Sequence, residues 1–330
     1  MEVENSHLKE RIMKRNIMLS AVSAMLLGAA VMPASASDCQ GFLPPNNLRI
    51  PVGSVHARGI IEAQFHAVLN TVEKLYKPVV AAQGKVLQIN RLWTDETVNA
   101  SASQSGNKYI LNMYGGLARH ETITMDGFAL VVCHELGHHL GGVPKVSSWA
   151  SNEGQSDYYA NLKCLRQVFA KESSREFTRM SASDEAAEMG CATSFSDPQE
   201  RAICVRGAMA GKSVAYLFKI LREETVEPRF DTPDTNVVTT MLGKHPATQC
   251  RMDTYLQGSV CAQPVSVPVS YTNPAAGTCT RSAGFNSGFR PLCWYKPANA
   301  AELLPPADKA FGLTEEMTPA FSVLNSGYAW

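Results

Sequence analysis

The sequence has no surplus of either charge. Its 330 residues contain 30 lysines and arginines and 30 aspartates and glutamates, which gives a formal net charge of zero. A neutral chain is not typical of general nucleic-acid binders, or of proteins that polybasic segments hold at a membrane surface. With 45% hydrophobic and 18% charged residues, the composition indicates a globular protein. We therefore expect no nucleic-acid partner.

Long hydrophobic runs are also lacking after residue 36. No later stretch reaches the roughly 18 apolar residues that are needed to cross a bilayer. The early run from Ile17 to Met32 follows Lys14 and Arg15, and small residues after it suit signal-peptidase cleavage before Ser37. We expect residues 1–36 to be a leader and signal peptide that are removed; a retained membrane anchor is the competing interpretation. The remaining chain is then a periplasmic or secreted protein without a membrane span.

The sequence contains no Cys-x-x-Cys pair, which argues against a cluster of metal thiolates. All nine cysteines follow the predicted cleavage point, and in an exported protein they favour disulfides. Because nine is odd, one cysteine should remain free, and we select Cys133, which would be buried in an apolar helix. Sequence does not determine connectivity. Short separations suggest Cys191–Cys204, Cys250–Cys261 and Cys279–Cys293, with Cys39–Cys164 remaining.

Proline, glycine and cysteine become frequent after Gln257. We expect residues 258–330 to form a loop-rich extension stapled by disulfides, either a small appendage or a wrap around the rest of the chain. Residues 37–257 would then form the main domain.

Two short β-strands are predicted before the middle of the chain. Alternating apolar and polar residues indicate one strand from Lys85 to Trp93 and another from Tyr109 to Tyr114, with a turn containing Gly106 between them. A helix from Gly59 to Lys77 precedes them, and Pro78 should end it.

The clearest chemistry lies in His134-Glu135-Leu136-Gly137-His138. This stretch belongs to a helix that we expect to begin near Thr124 or Asp126 and to end at Gly141-Gly142. Residues four apart lie on the same helix face, so both imidazoles can reach one metal ion. The glutamate between them would lie beside an open coordination position, where a base is needed. An accidental match is the competing interpretation.

A third ligand is needed, because catalytic zinc usually has three protein ligands. Glu153 begins the next predicted helix, which Ser151 or Asn152 can cap. Asp157 follows on the same helix face, where its carboxylate can accept the ring N–H of a metal-binding histidine. The competing interpretation is a solvated acidic helix start, which the helix dipole favours.

These motifs resemble the gluzincin metallopeptidases of the HtpX, BepA and CAAX prenyl protease group. The core of the resemblance is His-Glu-Leu-Gly-His followed by Glu-x-x-x-Asp at the start of the next helix. Val98-Asn99-Ala100 before a strand, and the His-Pro-x-x-x-x-Arg element formed by His245-Pro246 and Arg251, are similar to further family elements. The resemblance covers roughly residues 60–256 and leaves the C-terminal extension outside it.

The resemblance implies an α+β, mostly helical, zincin-like metallopeptidase domain with a small sheet beside the helix of the His-Glu-x-x-His motif. It implies one Zn²⁺ per chain bound by His134, His138 and Glu153. It also implies that Glu135 is the general base and that Asp157 supports the ligands.

The downstream element is expected to complete the site. We expect His245 to donate a hydrogen bond to the reaction oxyanion and Arg251 to anchor the loop. Alternatively, His245 binds the metal as a fourth ligand and keeps the enzyme latent. The strand that contains Tyr109, Leu111 and Met113 is expected to be the edge strand that pairs with an extended substrate.

The leading prediction is an exported zinc endopeptidase that hydrolyses peptide bonds in proteins of the cell envelope or exterior. Glu135 would take the proton of a zinc-activated water as that water attacks the peptide carbonyl. One alternative is a chaperone-like or regulatory zinc protein whose site is latent and plugged by His245. Another is a structural, disulfide-stapled protein with an accidental motif. The oligomeric state is left open.

Overall fold

A computed structural model of the chain describes residues 41–170 and 184–298. The architecture is α+β, with a small sheet and a larger set of helices around the hydrophobic core. The predicted main domain and the described part of the predicted extension belong to one compact unit. The predicted leader and signal peptide lie outside the described residues. No described helix has both the length and the apolar character needed to cross a membrane.

The sheet has three strands, β1 (Val86–Leu92), β2 (Ala100–Ser105) and β3 (Lys108–Tyr114), in the order β1-β3-β2. β1 is parallel to β3, and β2 is antiparallel to it. The structure contains both strands that the sequence predicts. Strand β2 was missed because its sequence, ASASQS, does not alternate large apolar and polar residues.

The strand order corrects one prediction about the site. Tyr109, Leu111 and Met113 lie in β3, which is paired with β1 on one side and β2 on the other. Backbone groups that already pair with two neighbours cannot pair with a substrate, so the prediction that β3 is an edge strand is wrong. Strand β2 lies at one edge of the sheet instead.

Residues 41–50 enter the fold beside the start of β2. Phe42 N donates to Ala100 O (2.9 Å), and Ile50 N donates to Glu96 O (2.8 Å). The side chains of Phe42 and Leu43 are fully buried. This segment is therefore part of the core.

Helix α1 (Glu62–Ala81) buries its apolar face and exposes the opposite face. The predicted stop at Pro78 is wrong, because Pro78 lies inside the last turn of the helix. Val80, two residues later, is fully buried in the core. Its packing offsets the hydrogen bond that proline cannot make.

After the short helix α2 (Gly115–Ala118), helix α3 (Met125–Leu140) carries the His-Glu-x-x-His motif. Its start agrees with the prediction, because the Thr124 side chain accepts from Gly127 N (3.0 Å) as the N-cap. Every residue from Asp126 to Leu140 is buried. A helix that is buried all round must be surrounded by other elements, and α3 packs against α1, the sheet and the helices that follow.

Helix α4 (Glu153–Tyr159) begins as predicted, with the Asn152 side chain accepting from Gln155 N (2.9 Å). It continues through a π-helical turn (Ala160–Leu165) into helix α5 (Arg166–Phe169). All residues of α4 are buried.

The remaining helices form the second half of the fold. Helix α6 (Glu185–Ser194) precedes the long helix α7 (Pro198–Leu221), and α8 (Thr248–Val260) packs on α7 and α4. After α8 the chain contains only a short 3₁₀ turn (Arg281–Ala283) among its described residues up to 298. The loop-rich, disulfide-stapled character predicted for this region is thus present.

Within the described residues, four disulfides correct most of the predicted pairing. Cys191–Cys204 is confirmed. The other three bonds are Cys133–Cys164, Cys250–Cys293 and Cys261–Cys279. The prediction that Cys133 is free is wrong, as are the predicted pairs Cys250–Cys261, Cys279–Cys293 and Cys39–Cys164; Cys39 itself lies outside the described residues. Short sequence separation misled the prediction because the chain after α8 folds back over α4 and α8, which brings distant cysteines together.

Candidate metal centre

The two histidines of the motif lie on one face of α3, with ring centroids 4.8 Å apart. Nδ1 of His134 lies 2.7 Å from Asp157 Oδ1, and Nδ1 of His138 lies 2.8 Å from the carbonyl oxygen of Ser151. Both partners accept hydrogen bonds, so each ring carries its proton on Nδ1. Nε2 of each ring is then directed away from these partners and is the nitrogen that remains for a metal, which is the arrangement that metal-binding histidines require.

Glu153 completes a group of three possible ligands. Its Oε2 lies 3.4 Å from His134 Nε2, and its Oε1 lies 3.7 Å from His138 Nε2. The ligand atoms of these three buried residues all lie within 4.8 Å of one another, close enough to hold one metal ion. Nε2 of both histidines and Oε2 of Glu153 are buried without a hydrogen-bond partner. Because a buried polar atom without a partner is costly, the donor set fits a cation.

The carboxylates dominate the charge of the metal-free group. Burial lowers the pKa of His134, but the charges of Asp157 and Glu153 outweigh burial and raise it to about 9. Burial lowers the pKa of His138 to about 4. Burial acts to raise the pKa of Glu153, yet its contacts with the two histidines hold it well below its usual range. A cation that binds here must therefore displace a proton from His134.

Glu135 has no hydrogen-bond partner. Its side chain is fully buried, and both carboxylate oxygens are unpaired among the described contacts. Burial raises the pKa of Glu135 to about 8, with the charge of Glu153 acting in the same direction. A carboxylate whose pKa lies near neutrality can both accept and return a proton.

Asp157 and Arg251 support His134 from behind. The Nη2 of Arg251 donates to Asp157 Oδ1 (2.7 Å), the same oxygen that faces His134 Nδ1. Nη1 of Arg251 donates to the carbonyl oxygen of Phe42 (3.1 Å), and the Phe42 ring lies 4.9 Å from the His134 ring. The segment that contains Phe42 thus packs behind the imidazole ring of His134.

His245 lies at the border of the group. Its Nε2 lies 3.4 Å from Glu153 Oε2 and 2.9 Å from the carbonyl oxygen of Gly41. A carbonyl only accepts, so Nε2 of His245 carries a proton and donates to Gly41. His245 is not a fourth ligand in this arrangement.

Gly137 allows the two ligand helices to approach. A Cβ at this position would lie 3.0 Å from the backbone oxygen of Ser156 and 3.1 Å from its Cα. The cost of glycine in a helix is thus offset by close contact between α3 and α4. Ser156 Oγ also lies 3.1 Å from His138 Nδ1.

The other histidines near the motif serve packing. His139 is stacked between the rings of Tyr109 (4.3 Å) and Trp149 (4.8 Å), and His120 Nδ1 lies 3.0 Å from Thr122 Oγ1. One further group, Asp234, Cys250 and Cys293, has the spacing for a metal. Its two sulfurs are joined in a disulfide, so they are not thiolate ligands.

Three contributors to the site were not predicted from the sequence, namely Ser151 as the carbonyl partner of His138, Gly41 as the partner of His245 and Phe42 behind His134. Backbone carbonyls carry no sequence signal, since every residue has one. Phe42 lies more than 90 positions from His134, and no local pattern joins them.

Comparisons with protein-family models, with curated proteins and with solved structures find no match for this chain.

Proposed function

We propose that the protein is a zinc-dependent endopeptidase. The observation that carries this proposal is the convergence of three buried ligand atoms without hydrogen-bond partners, together with the buried carboxylate of Glu135, which has no hydrogen-bond partner either. A purely structural site would need no such base. Zinc is the metal we assign, because two imidazoles and one carboxylate are a common donor set of catalytic zinc.

Zinc, when bound, would lower the pKa of water and polarise a peptide carbonyl. His134 and His138 would bind through Nε2 and Glu153 through its carboxylate, while Asp157 and Ser151 hold the imidazole rings in orientation. Glu135 would take the proton of the attacking water and transfer it to the leaving amine.

We place the substrate along β2. Ala100 O faces away from β3, because it accepts from Phe42 N. Alternate residues of a strand direct their backbone groups to the same side, so those of Ala102 and Gln104 also face away from β3. An extended peptide that pairs with this edge would approach α3, which packs on β2.

His245 is assigned the role of oxyanion donor, because it lies next to Glu153. Its Nε2–H, which donates to Gly41 O here, is the donor nearest to Glu153 Oε2 after the ligands themselves. If the bond to Gly41 opens, the same N–H can stabilise an oxyanion.

The likeness to the gluzincin group supports this assignment through the motif residues. The four disulfides found in the described part of the chain are compatible with an exported protein, because such bonds persist in oxidising compartments. We therefore propose proteins of the cell envelope or exterior as the substrates.

The test combines metal content with proteolysis. The full chain is produced through an oxidising compartment, and bound metal and casein cleavage are measured for the wild type and for Glu135→Gln. We expect zinc in both proteins and a rate lower by about 10²–10⁴-fold in the variant. Absence of stoichiometric zinc would contradict the metal centre.

One observation favours a second candidate, a latent chaperone-like or regulatory zinc protein. His134, Glu135 and His138 are fully buried, and Glu153 is only 6% exposed. Zinc without cleavage by either form would support this candidate. His245→Ala then distinguishes the two roles of that residue, because lost activity indicates a donor and raised activity indicates a plug.

A further inference from the structure

The residue after Glu153 is a glycine that faces an indole ring. A Cβ at Gly154 would clash with the ring atoms of Trp294. Trp294 is fully buried, and its Nε1 donates to Thr254 Oγ1 in α8 (2.9 Å). The indole therefore fills the space between the first turn of α4 and α8.

Two more contacts join the chain after α8 to the same helix. Arg290 Nη1 donates to Gln155 Oε1 (3.3 Å), and Gln155 Nε2 donates to Gly141 O at the end of α3 (2.7 Å). The hydroxyl of Tyr158 donates to Gly288 O (2.5 Å). The C-terminal segment, residues 261–298, thus holds α4 along its length and connects it to the other ligand helix.

A disulfide attaches this segment beside the metal centre. Cys293 precedes Trp294, and its partner Cys250 precedes Arg251. Arg251 donates to Asp157, which faces His134 Nδ1. One covalent bond therefore joins the residue before Trp294 to the residue before Arg251.

We propose that Trp294, held in place by Cys250–Cys293, is a positioning residue for Glu153. The C-terminal segment then acts as a brace that completes the metal centre, although it lies outside the part of the chain that resembles gluzincins. This inference rests on the proposed metal site. Glu153 depends on such support because it is the first residue of α4, where a helix frays most easily and is held mainly by tertiary packing.

The first measurement is metal affinity by competition with a chromophoric chelator. We expect Trp294→Ala to weaken zinc binding by about 10–100-fold, the usual effect of losing a residue that supports a ligand. Trp294→Phe, which keeps a ring against Gly154, should recover most of the affinity. Phe230→Ala is the matched control, since Phe230 is a buried aromatic residue in a separate hydrophobic cluster. Equal losses in Trp294→Ala and Phe230→Ala would overturn the proposal.

The second measurement needs no metal. Amide hydrogen exchange of the chelated protein should be faster in residues 153–159 of Trp294→Ala than in those of the wild type, and unchanged there in Phe230→Ala. If the wild type binds no zinc but this local effect is present, the proposed function fails while the brace remains. If exchange in α4 does not change, the brace itself is refuted.

The disulfide supplies a third, independent test. Cys250→Ala/Cys293→Ala should lower zinc affinity in the same way as Trp294→Ala, and combining these changes should give less than the product of their effects. Cys191→Ala/Cys204→Ala is the control, because that bond joins α6 to α7 outside the brace. Equal losses in both disulfide variants would show that general destabilisation, not positioning, explains the result.

Discussion

Helix α3 contains two buried polar clusters that differ in pairing. Near its start, Asp126 accepts two hydrogen bonds from Arg206, both 2.7 Å long. Further along, His134 Nε2, His138 Nε2 and both oxygens of Glu135 are equally buried but have no hydrogen-bond partner. The hydrogen bonds of the first cluster are formed within it, whereas the second cluster has atoms that remain available to bind a ligand.

The two clusters therefore differ in role: the paired one contributes to stability, and the one without hydrogen-bond partners is suited to bind a ligand. A buried ion pair that is fully hydrogen-bonded tolerates burial, whereas an unpaired buried group costs about 1–3 kcal/mol. Substitutions at the two clusters should therefore change the free energy of unfolding with opposite signs in the metal-free protein.

The largest effect is expected at the paired cluster. Arg206→Met should lower the free energy of unfolding by about 3–5 kcal/mol, because it removes the guanidinium that pairs with the buried Asp126 carboxylate. Denaturant unfolding measures this loss, and zinc affinity should stay unchanged in the folded fraction. The double variant Asp126→Leu/Arg206→Met should recover most of the stability; a double variant as unstable as the single one would count against the pairing argument.

Metal binding at the unpaired cluster should give the next largest effect. Zinc at about 100 times its Kd should raise the free energy of unfolding by about 2.7 kcal/mol, because only the folded chain presents all three ligands. Glu153→Ala should abolish this increment, and Arg206→Met should retain it. Thermal unfolding with and without zinc is the measurement, and an increment that persists in Glu153→Ala would place the metal elsewhere.

A smaller, pH-dependent effect is expected at Glu135. Its pKa is raised from 4.5 to about 8 in the folded protein, so its contribution to stability is fully present below about pH 4.5 and is lost progressively as the pH rises to about 8. Metal-free Glu135→Gln should therefore match the wild type near pH 4 and exceed its unfolding free energy by about 2 kcal/mol near pH 6. Denaturant unfolding in chelator at the two pH values tests this. Parallel pH profiles would show that Glu135 is not held neutral by burial.

The smallest effect concerns the helix start that both clusters share. Thr124→Ala removes the N-cap bond to Gly127 N and should cost about 1 kcal/mol. Thr124→Ser keeps the hydroxyl and is the control. Chemical unfolding of both variants measures the difference, and the zinc affinity of both should equal that of the wild type.

Local sequence patterns were sufficient for several elements. The spacing of His134 and His138 placed both rings on one helix face, and Asn152 was identified as one of two possible caps of the helix that begins at Glu153. Glu153 was predicted to join these two histidines because only a short loop separates the two helices, and the ends of both helices have recognisable capping residues. The disulfide Cys191–Cys204 was also predicted, since its partners lie close in sequence.

Predictions failed where distant segments meet. Strand β2 has no large apolar residues and forms because β3 offers it a pairing edge. The helix α1 continues past Pro78 because Val80 packs into the core. The disulfide predictions failed because Cys133–Cys164 joins α3 to the π turn and Cys250–Cys293 joins α8 to the C-terminal segment, and sequence separation does not reveal either contact.

The sequence by itself determined the donor set, because the types of residue and their helical spacing limit the ions they can bind. Only the tertiary structure decided that β3 is a central strand, that His245 donates to Gly41 and that Trp294 covers the first turn of α4. The physical reason is that each of these depends on packing between segments far apart in sequence, and the energy of such packing depends on the whole core.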